Sequence, residues 1–309
     1  MYKLSFLQNM TIPPYLKVGD TVALVAPAKK ISADLIENAI HILQSWGLNV
    51  QLGKNVQNEY YWFAGTDTER AQDLQEALNS PQAKAIIALR GGYGTSRIIE
   101  QLDFSTFIHH PKWVVGFSDI TILHAKISQF NITSIHGTMP ILFDEANDPI
   151  SLQTLRAALF GELSTYTIPS HAQNRKGAAK GKLVGGNLSL LHAAIGTSYD
   201  LDTTNKILFI EDIDEYAYHI DRMMIHLKHA GKLDKIVGLI VGYMTNIKES
   251  EEKFFGKDAY QIIAEIVSEY SYPVCFGFPA GHEPNNYALY LNREVYLEID
   301  SQKVILKWT

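Results

Sequence analysis

The stretch Trp113-Val114-Val115-Gly116-Phe117-Ser118-Asp119-Ile120-Thr121 carries an apolar run, a glycine and a serine in close succession. Trp113 to Val115 is a short apolar run of the kind that forms a buried strand, and Gly116 gives the backbone freedom to turn behind it. Beyond Ser118 the spacing changes, because Ile120, Leu123, Ile127 and Phe130 recur at helical intervals on one face. Ser118 is therefore expected where a strand hands over to a helix, with its hydroxyl at the positive helix end. The N–H of Asp119 is then free to meet a developing oxyanion. This is the logic of a nucleophile elbow, although Ile120 stands in the place of the second glycine of G-x-S-x-G. The plainer alternative is a serine that caps an ordinary helix.

Upstream, strands and helices alternate. Thr21 to Ala26 reads as a strand closed by Pro27. Ser32 then caps a helix whose stripe is Leu35, Ile36, Ala39, Ile40, Leu43 and Trp46, with Gly47 ending it. The aromatic run Tyr60-Tyr61-Trp62-Phe63 reads as packing in a core or at a domain edge. Thr66 and Glu69 have capping-box spacing and open a helix through Leu78. Ala83 to Leu89 is a continuous apolar run, as expected of a strand covered on both faces. It leads into Arg90-Gly91-Gly92-Tyr93-Gly94, whose glycines let backbone N–H groups point into a crevice at the strand's carboxyl end. An oxyanion donor fits this loop better than a phosphate cradle, since no Walker lysine or G-x-G-x-x-G accompanies it. A plain tight turn stays open.

Downstream, Ile132 to Ile135 reads as a strand ending at His136, which is either a catalytic base or a core histidine. From about Asp144 to Lys182 the rhythm is lost, which suggests a connection, and the cluster Arg175, Lys176, Lys180 and Lys182 reads as a solvated linker. Asn187 is placed to cap a helix carrying Leu188, Leu191 and Ile195. Lys206 to Ile210 is a strand expected to deliver Glu211-Asp212-Ile213-Asp214-Glu215 at its end. Clustered carboxylates suit a hard cation, but no D-x-D-x-D-G loop is present. Ile220, Met223, Met224 and Leu227 mark the next core-facing helix, and His226 and His229 on it read as surface residues. Another strand at Ile236 to Val241 and a helix with Ile262, Ile263, Ile266 and Val267 precede Pro273 to Phe278, which leads to Gly281-His282. The tail from Tyr287 reads as antiparallel strands turning at Ser301-Gln302.

Composition bounds the possibilities. The chain has 309 residues, a length that suggests about two domains. A net charge of −6 without a basic tract argues against a nucleic-acid partner. No apolar run reaches the ~20 residues a membrane helix needs. The apolar core near Met1 is too short for a signal peptide, and Met10 is an alternative start that would leave residues 1–9 as an extension. The single cysteine, Cys275, fits a reducing compartment and lies in a strand away from the elbow.

Taken in order, these stretches make the chain resemble the serine LD-carboxypeptidase family (peptidase family S66), which also contains the microcin C self-immunity peptidases. The resemblance rests on Gly19 to Pro27, Ala64 to Asp67, Arg90 to Gly94, Gly116 to Thr121, His136-Gly137, Gly185 to Ser189, Leu208 to Asp212 and Gly277 to His282. Small departures are Thr138, where proline is common, and Glu283, where a small residue is common.

The resemblance implies an α/β protein with a flavodoxin-like N-terminal domain, related to class I glutamine amidotransferases, and a smaller swivelling β/α C-terminal domain. Its units would be a nucleophile domain at 1–145, a connection at 146–180, and a domain at 181–309 carrying the acid and base. It implies a cytoplasmic homodimer without metal or cofactor, acting on a murein tetrapeptide or related small peptide. The family's nucleophile maps onto Ser118, its acid onto Glu211 and its base onto His282, with oxyanion donors at the N–H groups of Gly92 and Asp119. Glu215 is the competing acid. A carboxypeptidase also needs a cation or N–H group for the free carboxylate, for which Arg90, with Tyr93 beside it, is the candidate.

Overall fold

The computed structural model describes residues 10–249 and 255–309, so the alternative start and its extension at 1–9 fall outside the described residues. The first strands in chain order are β1 (Thr21–Val25), β2 (Asn49–Leu52), β3 (Ala83–Ala88), β4 (Trp113–Gly116) and β5 (Ser134–His136). They are followed by β6 (Thr165–Pro169), β7 (Gly177–Asn187), β8 (Lys206–Ile213), β9 (Gly238–Thr245) and β10 (Val274–Cys275). The chain closes with β11 (Leu289–Leu291), β12 (Glu294–Ile299) and β13 (Lys303–Trp308).

Two mixed sheets result. The first has the order β11-β5-β4-β3-β1-β2, parallel except for β11. The second has the order β10-β9-β8-β7-β12-β13-β6, in which β7 to β10 are parallel and the other pairings antiparallel. The central strands β1, β3 and β4 read as near-continuous apolar runs and are buried almost throughout, as expected of strands covered on both faces, whereas the edge strand β2 is mostly exposed. Trp113, Val114 and Val115 of β4 are at most 1% exposed. One core is shared by both sheets, with Trp113 and Val115 from the first and Phe209 and Leu297 from the second.

The helices begin for local reasons. Thr66 and Glu69 form the expected reciprocal capping box at the start of the helix Asp67–Asn79. Ser32 occupies the N-cap of Ala33–Ser45, but its side chain makes no capping hydrogen bond. Within 146–180 the chain forms a helix, Pro149–Phe160, begun by Asp148 accepting from the Ser151 N–H and ended by Gly161 at φ 80°. Arg175 is no solvated residue, since its guanidinium donates to the carbonyls of Tyr272 and Val267.

Two features carry the later half of the chain to the first sheet. Strand β11 pairs with β5, Leu289 opposite His136, so the loop ahead of it is drawn to the edge where β4 ends. The helix Pro149–Phe160 then pins that loop: Asp148 and Ser151 accept from the N–H groups of Asn285 and Asn286. The tail is thus antiparallel as expected, but its first strand belongs to the other sheet. Among the described residues, no helix is long and apolar enough to cross a membrane.

Candidate active site

The turn after β4 is tight. Ser118 sits at φ 61°, in the left-handed region that a residue with a β-carbon enters only at a cost of about 1 kcal/mol or more. Gly116, expected to supply the bend, is ordinary strand backbone, and its missing Cβ serves packing instead. A Cβ there would lie 2.8 Å from Ile120 Cγ1. Neither the 3₁₀ turn Ser118–Ile120 nor the helix Thr121–Ser128 receives a side-chain cap, so the capping alternative finds no hydrogen bond. Ser118 is partly exposed while Phe117 and Asp119 on either side are buried.

The glycine loop after β3 packs directly on this elbow. A Cβ on Gly91 would lie 3.2 Å from Ser118 Cβ and 3.3 Å from the Asp119 nitrogen. Gly92 and Gly94 have φ of 104° and 148°, which only glycine adopts readily. The side chain of Asp119 ties loop to elbow, accepting from the Thr95 N–H at 2.8 Å and from the Thr95 hydroxyl at 2.6 Å. Burial pushes this carboxyl upward in pKa, against the bonds from Thr95 that favour the charged form. Arg70, 1% exposed, adds a second tie by donating to the carbonyls of Pro27 and Gly94 and pairing with Asp67. No motif points to Arg70; the only hint is Asp67 one helical turn before it.

The acidic run corrects an expectation. Strand β8 does not stop at Ile210 but continues to Ile213, with its register against β9 shifting between Ile210 and Asp212. Such an irregularity re-aims side chains. Glu211 is fully buried, and its Oε2 is 2.7 Å from His282 Nδ1. Room for the pair comes from glycine, because a Cβ on Gly281 would lie 3.0 Å from Glu211 Oε2. Asp212 is buried too, accepting from Asn187, from the Ser189 N–H and hydroxyl, and from the Ile213 N–H. Burial, aided by the Glu211 charge, pushes its pKa up to about 7 against those bonds. Glu215 faces elsewhere, engaging Ser189 and His219.

His282 is opposed by two effects. Burial lowers its pKa, but the Glu211 charge and hydrogen bond, with Asp212 and Asp214 farther off, outweigh this and leave it above the ordinary histidine value. Its ring lies 4.8 Å from that of Phe117, the neighbour of Ser118. The two lobes meet close by: Thr121 accepts from the Asn187 N–H at 3.0 Å, and a Cβ on Gly186 would lie 2.5 Å from the Thr121 hydroxyl. A groove of about 710 Å³ includes Leu35, Phe143, Asp148, His282, Glu283 and Pro284 in its lining.

His136 is wholly buried between the rings of Phe117 and Phe209, and burial, with His124 and His282 nearby, holds its pKa well below normal. It is a core histidine. Arg90 is half-buried and donates to the Lys30 carbonyl at 2.8 Å, while Tyr93 is 46% exposed against Phe63. Of the two readings of the aromatic run, core packing fails for Tyr60, Tyr61 and Trp62, which are at least half exposed. His226 and His229 are on the surface, and Cys275 is buried in β10. Among the described residues, no three His, Cys, Asp or Glu side chains converge as a metal site.

Comparison with known proteins agrees with this layout. Residues 22–137 match the LD-carboxypeptidase N-terminal domain, and residues 180–297 match the LD-carboxypeptidase C-terminal domain. A probable murein peptide carboxypeptidase of Bacillus subtilis is 38% identical over 278 residues, covering 87% of this chain and 86% of that protein. The crystal structure of a muramoyltetrapeptide carboxypeptidase from Oxalobacter formigenes superposes with a TM-score of 0.85 at 29% identity, covering 93% and 98% of the two chains. A structure of MccF in complex with glutamyl sulfamoyl guanosine superposes with a TM-score of 0.84 at 21% identity, covering 95% and 97%. At that identity the last likeness speaks to the fold alone.

Proposed function

The chain belongs to the LD-carboxypeptidase family, and we propose that it hydrolyses the L,D amide bond that holds the terminal D-alanine of a murein tetrapeptide. The single observation that carries the reading is the 2.7 Å bond between buried Glu211 and His282, set beside an elbow that holds Ser118 at φ 61°. The names of the Bacillus subtilis and Oxalobacter formigenes relatives support the substrate class. The order β2-β1-β3-β4-β5 in the first sheet supports a flavodoxin-like nucleophile domain.

In this mechanism Ser118 attacks the scissile carbonyl while the Nε2 of His282 takes its proton. Glu211 keeps the Nδ1 proton of His282 in place and stabilises the imidazolium that forms. The N–H groups of Gly92 and Asp119 receive the oxyanion. His282 then protonates the departing D-alanine amine, and water resolves the acyl-enzyme.

Incubation with the L,D tetrapeptide, followed by mass analysis, is expected to give free D-alanine and the tripeptide. An intact tetrapeptide after prolonged incubation would remove the reading.

The pH dependence follows from His282. Its protonated form cannot accept the serine proton, so kcat/KM falls as pH drops through its pKa in the free enzyme. Because that pKa is raised, the acid limb is expected above the ~6.5 of an unperturbed histidine. A limb near the ordinary carboxylate range, with none above it, would point to another base.

A further inference from the structure

Lys29 and Lys30 are adjacent but differently employed. Lys30 pairs with Glu59 at 2.6 Å. Among the described residues, Lys29 has no carboxylate within ion-pair distance, and its ammonium instead rests 3.6 Å from the centre of the Trp62 ring. An aromatic face holds a cation through its quadrupole without cancelling its charge.

The holder is built for this. Tyr60 and Phe63 exchange backbone hydrogen bonds at 3.1 and 3.0 Å, placing Trp62 on a closed turn. Phe63 in turn bridges to Lys29 as an antiparallel pair, and the Ala64 N–H donates to the Ala28 carbonyl at 3.1 Å. The lysine stem then lies over the glycine loop, since a Cβ on Gly92 would come within 2.5 Å of Lys29 Cδ. The next glycine back, Gly91, is the one that abuts Ser118. The lysine stem is thus packed on the same glycine loop that abuts the nucleophile. Burial and the nearby Arg90 charge lower the Lys29 pKa, and the Asp119 charge opposes them.

Arg90 and Lys29 together leave two cations beside the elbow, neither with a carboxylate partner among the described residues. Such a site attracts an anion. In a peptide cut at its last bond, the terminal carboxylate lies only a few bonds from the scissile carbonyl. Given the reading above, we propose that Lys29 anchors the terminal carboxylate of the substrate, and that Trp62 is the positioning residue that holds its ammonium there.

The test compares the L,D tetrapeptide ending in free D-alanine with the same peptide ending in D-alaninamide. Wild type is expected to favour the acid by about 10–100-fold in kcat/KM, the scale of one charge-assisted contact. Lys29→Met abolishes that preference, chiefly through KM, and Lys29→Arg restores most of it. Trp62→Leu lowers the ratio part of the way toward that of Lys29→Met. The ratio is taken within each preparation, so partial loss of folded protein does not move it.

A Lys29→Met variant that keeps the wild-type ratio, or that loses acid and amide cleavage equally, overturns the assignment. So does collapse of the ratio in Arg90→Gln alone. Equal cleavage of acid and amide by wild type overturns it while leaving L,D hydrolysis intact. Cleavage of neither peptide removes the substrate reading and the Lys29 assignment with it.

Discussion

Ser118→Ala is expected to fold as wild type does and to lose turnover by roughly 10⁴–10⁶-fold. What remains is the acceleration that the oxyanion donors and binding supply without a nucleophile. The fold is spared because the left-handed backbone at position 118 costs alanine about what it costs serine, and the hydroxyl makes no capping bond. Stability is expected to change by about 1 kcal/mol or less, as read from urea melts. Turnover near the wild-type rate in a clean preparation would exclude Ser118 as the nucleophile.

Glu211→Gln is expected to lower kcat by about 10⁴-fold with little change in backbone geometry. Glutamine is isosteric with glutamate, so the space left by Gly281 is still filled. Its amide N–H can face Nδ1 of His282 only if the imidazole carries its proton on Nε2, the atom that must accept from serine. The change also removes the charge that raises the His282 pKa, so the residual activity should show its acid limb at lower pH. A loss confined to protein yield, with the limb unmoved, would make Glu211 a structural residue only.

The elbow was legible because an apolar run, a glycine and a helical repeat meet within nine residues, Trp113 to Thr121. Its strain was not, since serine tolerates either backbone and only the observed φ decides. The capping box at Thr66 was readable for the same local reason. Glu211 was found by resemblance, but its place inside a strand was hidden. Apolar periodicity stops at Ile210, and the chain stays extended beyond it because His282 partners Glu211 while Asn187 and Ser189 donate to Asp212. Those partners come from distant sequence, and burial of a charge is decided by them.

The helix Pro149–Phe160 carried signals that were there to be used: an Asp-Pro start and a glycine stop. By contrast, nothing local marks β11 as a strand of the other sheet, since pairing with β5 is a long-range choice. The exposure of Tyr60, Tyr61 and Trp62 was likewise unreadable. Aromatic composition suggests burial, and only the bridge from Phe63 to Lys29 shows why the turn stands outward.

The chemistry proposed for the site is hydrolysis of an L,D peptide bond at a free terminus. It is tested most directly by kcat/KM, on one preparation, for the L,D tetrapeptide, its all-L diastereomer and glutamyl sulfamoyl guanosine. The L,D tetrapeptide is expected first, with the all-L peptide lower by up to ~10⁴-fold, since a site that hydrogen-bonds a D-centre leaves its polar groups unpaired with the L-isomer. The sulfamoyl nucleoside is expected to be a weak substrate. A ranking that puts the nucleoside first would exclude murein tetrapeptide hydrolysis as the main activity and favour the chemistry of the self-immunity peptidases.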